Sequence, residues 1–308
     1  MKKILTALAL VLTAGTALAA DLPHYKAPLP PPPPPPLWTG FYVGLNAGGT
    51  WGDNNNIYVT SAPIFVNANP LLGLAPQFAS LAALGGSGIF SSNSSGFIGG
   101  GQIGYNWQFY NGAAVAGIEA DIQGIAYSNN NRTFISGIPA PLGNTVVTVM
   151  SARKSVDYLG TVRGRLGWLF TPTLLVYGTG GLAYGGVTLN VAGFQSVVPP
   201  GPNFTTTGFT GGQFSDTRVG WTAGGGLEWM FWPNWSAKVE YLYYDLGSVR
   251  TSGGLTTSTS TPIFTPVPAG TLAWANATEI RTQFRGNIVR AGVNYHFNWG
   301  APPVVAKY

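Results

Sequence analysis

The sequence predicts an all-β protein, an eight-stranded antiparallel up-and-down transmembrane β-barrel with four long external loops and short periplasmic turns. Three observations lead to this prediction. Apolar residues alternate with polar or charged ones in eight segments, which is the period of a β-strand. The connections between these segments alternate between long and short. The tryptophans gather at the end where the short connections lie, as aromatic residues do at a membrane interface.

The N-terminus predicts export and then a stiff spacer. Two lysines, an apolar run and a small-residue cleavage site follow one another in MKKILTALALVLTAGTALAAD. Residues 1–19 are therefore interpreted as a signal peptide, cleaved after Ala19 or Ala20; the alternative, a membrane anchor, has a marginal length. Residues 20–37 contain the run APLPPPPPPP, which favours polyproline II. We interpret this segment as a Pro-rich periplasmic spacer, with a ligand for a proline-binding partner as the alternative.

Composition excludes several classes of protein. The chain has no cysteine, so disulfides do not stabilise it. Only 8% of its residues are charged, and loss of Lys2 and Lys3 with the signal peptide lowers the formal charge from +5 to +3. Neither nucleic acid nor a strongly acidic partner is implied. After the signal peptide no apolar run reaches the roughly 18 residues of a membrane helix.

The clearest strand pair is the hairpin from Val219 to Gly247, VGWTAGGGLEWMFWPNWSAKVEYLYYDLG. Its apolar residues share one parity, and Glu228, Lys238 and Glu240 share the other. The same alternation predicts strands at about 38–52, 95–109, 113–127, 156–170, 174–190, 215–231, 235–249 and 283–297. Residues 38–297 thus form the predicted outer-membrane β-barrel, and residues 298–308 form a C-terminal periplasmic extension.

The connections give the orientation. Long connections are predicted at 53–94, 128–155, 191–214 and 251–282, and short ones at 110–112, 171–173 and 232–234. Outer-membrane barrels have long external loops and short periplasmic turns. An even strand number then leaves both termini in the periplasm and the loops extracellular. Within the first long connection, residues 76–84 read PQFASLAAL, which fits either a short helix over the barrel mouth or an ordinary loop turn.

Aromatic residues favour a membrane barrel over a soluble one. The predicted interfacial girdle consists of Trp38, Trp107, Trp168, Trp229, Trp232, Trp235, Tyr295 and Phe297. A soluble lipocalin-like barrel is the alternative, but it would fill its centre with aromatic residues from one end and leave the charged parity outside. In a membrane barrel the apolar parity faces lipid, and the charged parity faces inward.

The inward parity predicts a lumen ion network. Its members are Glu119, Asp121, Asp157, Arg163, Arg165, Asp216, Arg218, Glu228, Lys238, Glu240 and Arg290. Six acids against five bases is close to neutral, as a nearly dry lumen requires, because an unpaired buried charge costs several kcal/mol. General acid–base chemistry is the alternative reading of the carboxylates. A structural network explains the balance with fewer assumptions.

The external rim offers cations and little catalytic chemistry. Arg153, Lys154, Arg250 and Arg285 lie at the external strand ends, where they are candidate contacts for lipopolysaccharide phosphates or simply a solvated rim. After the signal peptide the histidines are His24 and His296, both away from the rim. No pattern of a catalytic site, a metal site or a cofactor site is present. We therefore expect no enzyme activity, no metal and no cofactor.

The chain resembles the porin-family eight-stranded outer-membrane β-barrel proteins of alphaproteobacteria, which are similar to the membrane domain of outer-membrane protein A. The resemblance rests on ADLP at residues 20–23, the Pro-rich spacer, WTGFYVGLNAGGTWG at 38–52 and IVRAGVNYHF at 288–297. It implies a Gram-negative outer-membrane location with lipid, lipopolysaccharide and the assembly machinery as partners. It also implies an aromatic assembly signal, here Tyr295 and Phe297 or the terminal Tyr308. We expect a monomer.

Three functions remain open on the sequence alone. The first is a structural or surface role in the cell envelope, which the near-neutral lumen favours. The second is a narrow porin-like channel for small solutes. The third is adhesion or ligand binding through the external loops, whose length keeps it open, although no residue identifies a ligand.

Overall fold

The fold is built almost entirely from antiparallel strands. The computed structural model describes residues 38–53, 56–91, 95–127, 132–198, 204–205, 208–260, 267–268 and 270–297. The strands are β1 (Gly40–Gly52), β2 (Asn56–Val66), β3 (Gly88–Ser91), β4 (Gly96–Phe109), β5 (Ala114–Tyr127), β6 (Arg132–Ala140), β7 (Asn144–Thr171), β8 (Leu174–Val198), β9 (Phe204–Thr205), β10 (Gly208–Trp232), β11 (Trp235–Ser260) and β12 (Leu272–Phe297). One α-helix, α1 (Ala75–Gly85), and two short 3-10 helices, Pro70–Leu72 and Pro141–Gly143, complete the described chain. None of these helices is long and apolar enough to cross a membrane.

Eight of the strands pair in a ring. The antiparallel pairings run β1–β4–β5–β7–β8–β10–β11–β12, and β12 returns to β1. Each of the eight strands thus has a neighbour on both sides over part of its length. The predicted all-β antiparallel fold is confirmed. The signal peptide, the Pro-rich spacer and the C-terminal extension lie outside the described residues and stay predictions.

The structure contains more strands than the eight predicted, and the long connections are not simple loops. They hold β2, β3, β6 and β9, together with the far ends of β7, β8, β10, β11 and β12. β6 pairs with β7, and β2 pairs with β12, so that these strands extend the sheet beyond the ring. The long connections were predicted as loops, but runs rich in β-branched threonine and valine, such as NTVVTVM at 144–150, favour a strand.

The first long connection contains the helix that the sequence left open. α1 spans Ala75–Gly85, and its buried face includes Phe78 and Ala82. Polar side chains of two strands hold it: Asn276 of β12 donates to the Ala79 carbonyl at 2.9 Å, and Gln195 of β8 donates to the Ala82 carbonyl at 2.7 Å. Both side chains are buried, so α1 lies across the interior at the long-connection end.

A β-bulge in β7 reverses which side chains face inward. The register with β8 shifts between Val156 and Tyr158. On the N-terminal side of the bulge the even-numbered residues such as Lys154 and Val156 are buried. On its C-terminal side the odd-numbered residues such as Arg163 are buried. The predicted parity of β7, which placed Val156 on the lipid side, is therefore wrong on the N-terminal side of residue 157. One extra residue in a strand moves all that follow to the other face.

Candidate functional site: the interior ion network and the outer face

The charged side chains inside the ring come from five of its eight strands. β5 supplies Glu119 and Asp121, and β7 supplies Arg163 and Arg165. β10 supplies Glu228, β11 supplies Lys238 and Glu240, and β12 supplies Arg290. Several stand opposite each other in the ladder: Glu119 opposes Arg163, Glu228 opposes Lys238, and Glu240 opposes Arg290. Opposite-charge pairs at such positions stabilise a sheet.

Arg163 is at the centre of the network. One of its terminal nitrogens lies 2.5 Å from Glu119 and 2.9 Å from Asp121, and the other lies 2.9 Å from Glu240. Its Nε donates to the Thr161 hydroxyl at 2.9 Å. The guanidinium thus joins three carboxylates from two opposite parts of the ring.

The remaining bases complete the pairing. Arg165 lies 2.5 Å from Glu228, and Lys238 lies 2.9 Å from Glu119. Arg290 bridges Asp121 at 2.8 Å and Glu240 at 2.5 Å. The tyrosine hydroxyls of β1 and β8 add hydrogen bonds, from Tyr42 to Glu119 at 2.7 Å and from Tyr177 to Glu240 at 3.1 Å.

The network is charge-balanced and buried. Four acids face four bases, and every one of these side chains is buried. Removing such charges from water costs several kcal/mol per ion, so each needs close partners, and each has them. No carboxylate of the network is left free to act as a general base toward a substrate. Within the described residues, no group of His, Cys, Asp and Glu could hold a metal ion.

Three residues predicted for this network are not in it. Asp157 is the bulge residue of β7 and is exposed, accepting from Ser155 at 3.1 Å and Thr188 at 3.0 Å. Asp216 is exposed, and Arg218 donates to the Ser248 carbonyl at 3.2 Å. Both lie beyond Trp221, where the regular pairing of β10 with β11 ends. At Asp216 and Arg218, the even-numbered side chains of β10 therefore do not face the interior of the ring.

Apolar side chains close the interior beyond the network. On the inward face, Leu159, Leu242 and Ile288 each lie two residues from a network position, toward the long-connection end of the ring. These network positions are Thr161, Glu240 and Arg290. They belong to one buried cluster that joins β2, β3, β4, β7, β8, β11 and β12 across the ring. A second buried cluster packs α1 against the strands at the long-connection end, with Phe78 and Trp274 as its largest members. The interior is filled from the network to α1.

Aromatic residues surround the short-turn end on the outer face. Trp107, Trp168, Trp229, Trp232 and Trp235 are exposed, and Tyr295 and Phe297 lie on the outward parity of β12. Trp235 contacts Tyr295 with ring centroids 5.2 Å apart, and Tyr295 contacts Phe297 at 5.1 Å. The third candidate for the assembly signal, Tyr308, lies outside the described residues.

Trp38 is not part of this outer belt. It is fully buried, its indole Nε1 donates to the Pro172 carbonyl at 3.0 Å, and its ring meets His296 edge-on at 5.6 Å. It precedes β1, so strand parity does not decide its direction. A buried tryptophan needs a partner for its N–H, and the turn at Pro172 supplies one. Trp38 therefore closes the interior at the short-turn end, together with Val115, Leu175, Tyr177 and Met230.

Comparison with known proteins identifies the family. The model of the family described as outer membrane protein beta-barrel domain matches residues 6–297. The 31 kDa outer-membrane immunogenic protein of Brucella melitensis biotype 1 is 34% identical over 252 residues, which cover 80% of this chain and 88% of the relative. The chain belongs to the outer-membrane β-barrel family.

Other members and solved barrels extend this comparison. The 22 kDa outer membrane protein of Rhizobium leguminosarum bv. viciae is 30% identical over 172 residues, covering 54% of this chain and 63% of the relative. Among solved structures, OprG of Pseudomonas aeruginosa is 9% identical with a TM-score of 0.37, covering 84% of this chain and 97% of that one. Neisserial surface protein A has a TM-score of 0.29 at 11% identity, covering 84% of this chain and 98% of that one. The family model and the Brucella and Rhizobium relatives identify this protein as an outer-membrane protein of the Gram-negative type.

The four cations predicted to meet lipopolysaccharide lie in different places on this outer-membrane protein. Lys154 is buried, and its amine donates to the Gln283 carbonyl inside the ring, so its assignment to the rim is wrong because of the β7 bulge. Arg153 is exposed on the outward face of β7. Arg285 lies 3.2 Å from Asp53, and Arg250 lies 3.8 Å from Glu279, both on the outer face. β8 and β10 separate Arg153 from Arg250 in the ring.

The sequence analysis missed the uncharged members of the interior. Asn46 donates to Gln102 at 3.0 Å, Gln102 donates to Asn294, and Asn294 donates to Glu228 at 2.7 Å. Tyr42 and Tyr177 contact the carboxylates directly, as described above. The signal was present, because each of these residues alternates with exposed apolar residues of its strand, such as Leu45, Ile103 and Leu182. The sequence prediction rested on charged residues and left amides and hydroxyls out.

Proposed function

We propose that residues 38–297 form an eight-stranded up-and-down transmembrane β-barrel with a closed interior, and that the protein has a structural and surface role in the outer membrane. The short turns and both termini are in the periplasm, and the long connections are extracellular. The family membership and the outward aromatic belt support this arrangement.

The observation that carries the closed state is the filling of the interior at successive levels. Trp38 closes the short-turn end, and the neutral ion network follows it. The apolar cluster around Leu242 and Ile288 comes next, and α1 follows at the far end. A barrel of eight strands has room only for side chains or for one small ligand. An aqueous path would have to cross packed apolar side chains.

This filling argues against the narrow channel and against catalysis. A water-filled pore tolerates charges without partners, whereas every acid of this network has a basic partner within 3.5 Å. The carboxylates are also closed off from substrate at both ends of the interior. We propose that the protein is a non-enzymatic, monomeric envelope component.

The length of the strands supports a surface role through the external region. β7 has 28 residues and β12 has 26, whereas a membrane strand needs about 9–11. More than half of each strand therefore extends beyond the bilayer as ordered sheet, with α1 packed inside it. The Brucella relative is named as an immunogenic outer-membrane protein, which fits a chain with exposed surface. Adhesion or ligand binding through this external sheet is the second candidate function.

Electrical recording tests the closed state. We expect the refolded full-length protein, shown to be folded by its heat-modifiable gel shift, to give no stable single-channel steps in planar bilayers. We expect no sugar uptake in liposome swelling, because packed apolar side chains fill the interior beyond the ion network. An open porin reconstituted in the same bilayers provides the positive control. Steady conductance with sugar permeation would contradict the closed interior and favour the channel.

A further inference from the structure

An unusual row of side chains crosses three strands on the outer face, beyond the lipid-facing band. Arg281 of β12 stands directly opposite Arg250 of β11 on one side and Tyr58 of β2 on the other. All three are exposed, whereas Val249, Ile280 and Ile57 beside them in sequence are buried, so the row faces outward. Like charges directly opposite in a sheet are destabilising. The row is therefore not explained by the stability of the sheet.

The described residues do not neutralise the charge of this row. Glu279 is the acid of the same surface, and it lies 3.8 Å from Arg250 with side chains 60% and 63% exposed. An ion pair of that distance and exposure contributes little. Within the described part of the chain, Arg281 has no acidic side chain within 4.0 Å. Two guanidinium groups against one carboxylate leave the row with one excess positive charge.

The row lines a surface hollow with further hydrogen-bonding groups. The hollow has a volume of about 470 Å³, and its lining includes Tyr58, Thr60, Arg250, Glu279, Arg281 and Gln283. Guanidinium groups bind phosphate and carboxylate oxygens through two parallel N–H donors, and hydroxyl groups add to this. The hollow thus has the size and the donors for a phosphorylated or carboxylated sugar.

The position on β12 favours a membrane glycolipid over a free anion. On the outward parity of β12, Val289 is followed toward the long-connection end by a polar run that begins with Asn287, whose side chain accepts from the Tyr241 hydroxyl at 2.6 Å. Arg285 and Arg281 continue on the same face, four residues apart, which is about 13 Å along a strand. Cations therefore line the surface above the hydrocarbon edge, at the level where headgroup sugars lie.

We propose that Arg250 and Arg281, with Tyr58, bind the anionic headgroup of an outer-leaflet glycolipid of the lipopolysaccharide type. Arg285 lies nearer the bilayer on the same face but is paired with Asp53 at 3.2 Å, so the site does not include it. This inference rests on the proposed orientation, with the long connections outside. It replaces the predicted set that included Lys154, which is buried, and Arg153, which lies on another part of the ring.

Binding of fluorescent lipopolysaccharide to the full-length barrel in neutral detergent micelles tests this site. We expect R250Q/R281Q to weaken binding about thirtyfold, because each cation near an anionic membrane surface contributes roughly a factor of five. E279Q removes the competing carboxylate and should strengthen binding by about fivefold. R153Q is the matched control, an exposed outward arginine elsewhere on the ring, and should leave binding unchanged.

Three results would overturn the proposal. Unchanged binding in R250Q/R281Q, or equal weakening in R153Q, would mean that the row is an ordinary charged surface. Displacement of the glycolipid by millimolar inorganic phosphate alone would mean a site for small free oxyanions. The gain expected from E279Q does not depend on the folding of a weakened variant. Conductance is a separate readout, so a conducting barrel would refute the closed state and leave this site standing.

Discussion

Replacing Arg163 by methionine is expected to lower the free energy of unfolding by about 3–5 kcal/mol, which is the range for breaking a buried ion pair by removing one partner. Methionine fills similar space but leaves Glu119, Asp121 and Glu240 with one shared base fewer. The measurement is a urea titration in detergent micelles, with the folded fraction read from the heat-modifiable gel shift.

Two further variants show whether charge is the cause. Arg153 lies on the same strand but is exposed, so R153Q should change the free energy of unfolding by no more than about 0.5 kcal/mol. R163M/E119Q restores a neutral network, so the double variant should lose less stability than the sum of the single ones. If R163M differed from the wild type by less than about 1 kcal/mol, the network would be solvated, because water compensates a lost charge partner.

The sequence predicts the interior wherever the strands run without interruption. Glu119, Arg163, Glu228, Glu240 and Arg290 alternate with apolar residues over long, regular stretches, and the structure pairs them inside the ring. Alternation with period two is enough to find such residues because a strand places successive side chains on opposite faces. It does not find their partners, which depend on the register between strands.

The sequence analysis failed where the regular ladder changes. The bulge at Asp157 reverses the parity of β7, so Lys154 is inside and Asp157 is outside. A bulge has no strong sequence signal, since one extra residue is accommodated by the backbone. The predicted position of Trp38 was wrong for another reason. Trp38 lies before its strand, and the direction of its side chain depends on the Pro172 turn, more than one hundred positions away in the chain. Such contacts follow from the closed ring and not from local pattern.

The second large effect is expected from arginine substitutions on the outer face, because their cost differs between a position that faces lipid and one that faces water. Leu227 on β10 and Leu255 on β11 have the same side chain and nearly the same exposure, 51% and 54%. Leu227 opposes Val239 in the ladder, within the part of β10 and β11 that also carries the aromatic belt. Leu255 opposes Ala277 in the long extension of the sheet. In water, arginine at either exposed position would be nearly neutral.

We therefore expect L227R to destabilise the barrel in lipid vesicles by about 1–2 kcal/mol, less than the roughly 2–4 kcal/mol of the bilayer midplane because Leu227 lies two residues from Trp229 of the aromatic belt. L255R should cost less than about 1 kcal/mol, because its side chain remains in water. Urea unfolding in vesicles, followed by tryptophan fluorescence and the gel shift, gives both values. The difference arises only if a bilayer surrounds the first position and not the second. Equal effects would mean that the hydrocarbon boundary is not between them, and that the extension beyond the membrane is shorter than the strands indicate.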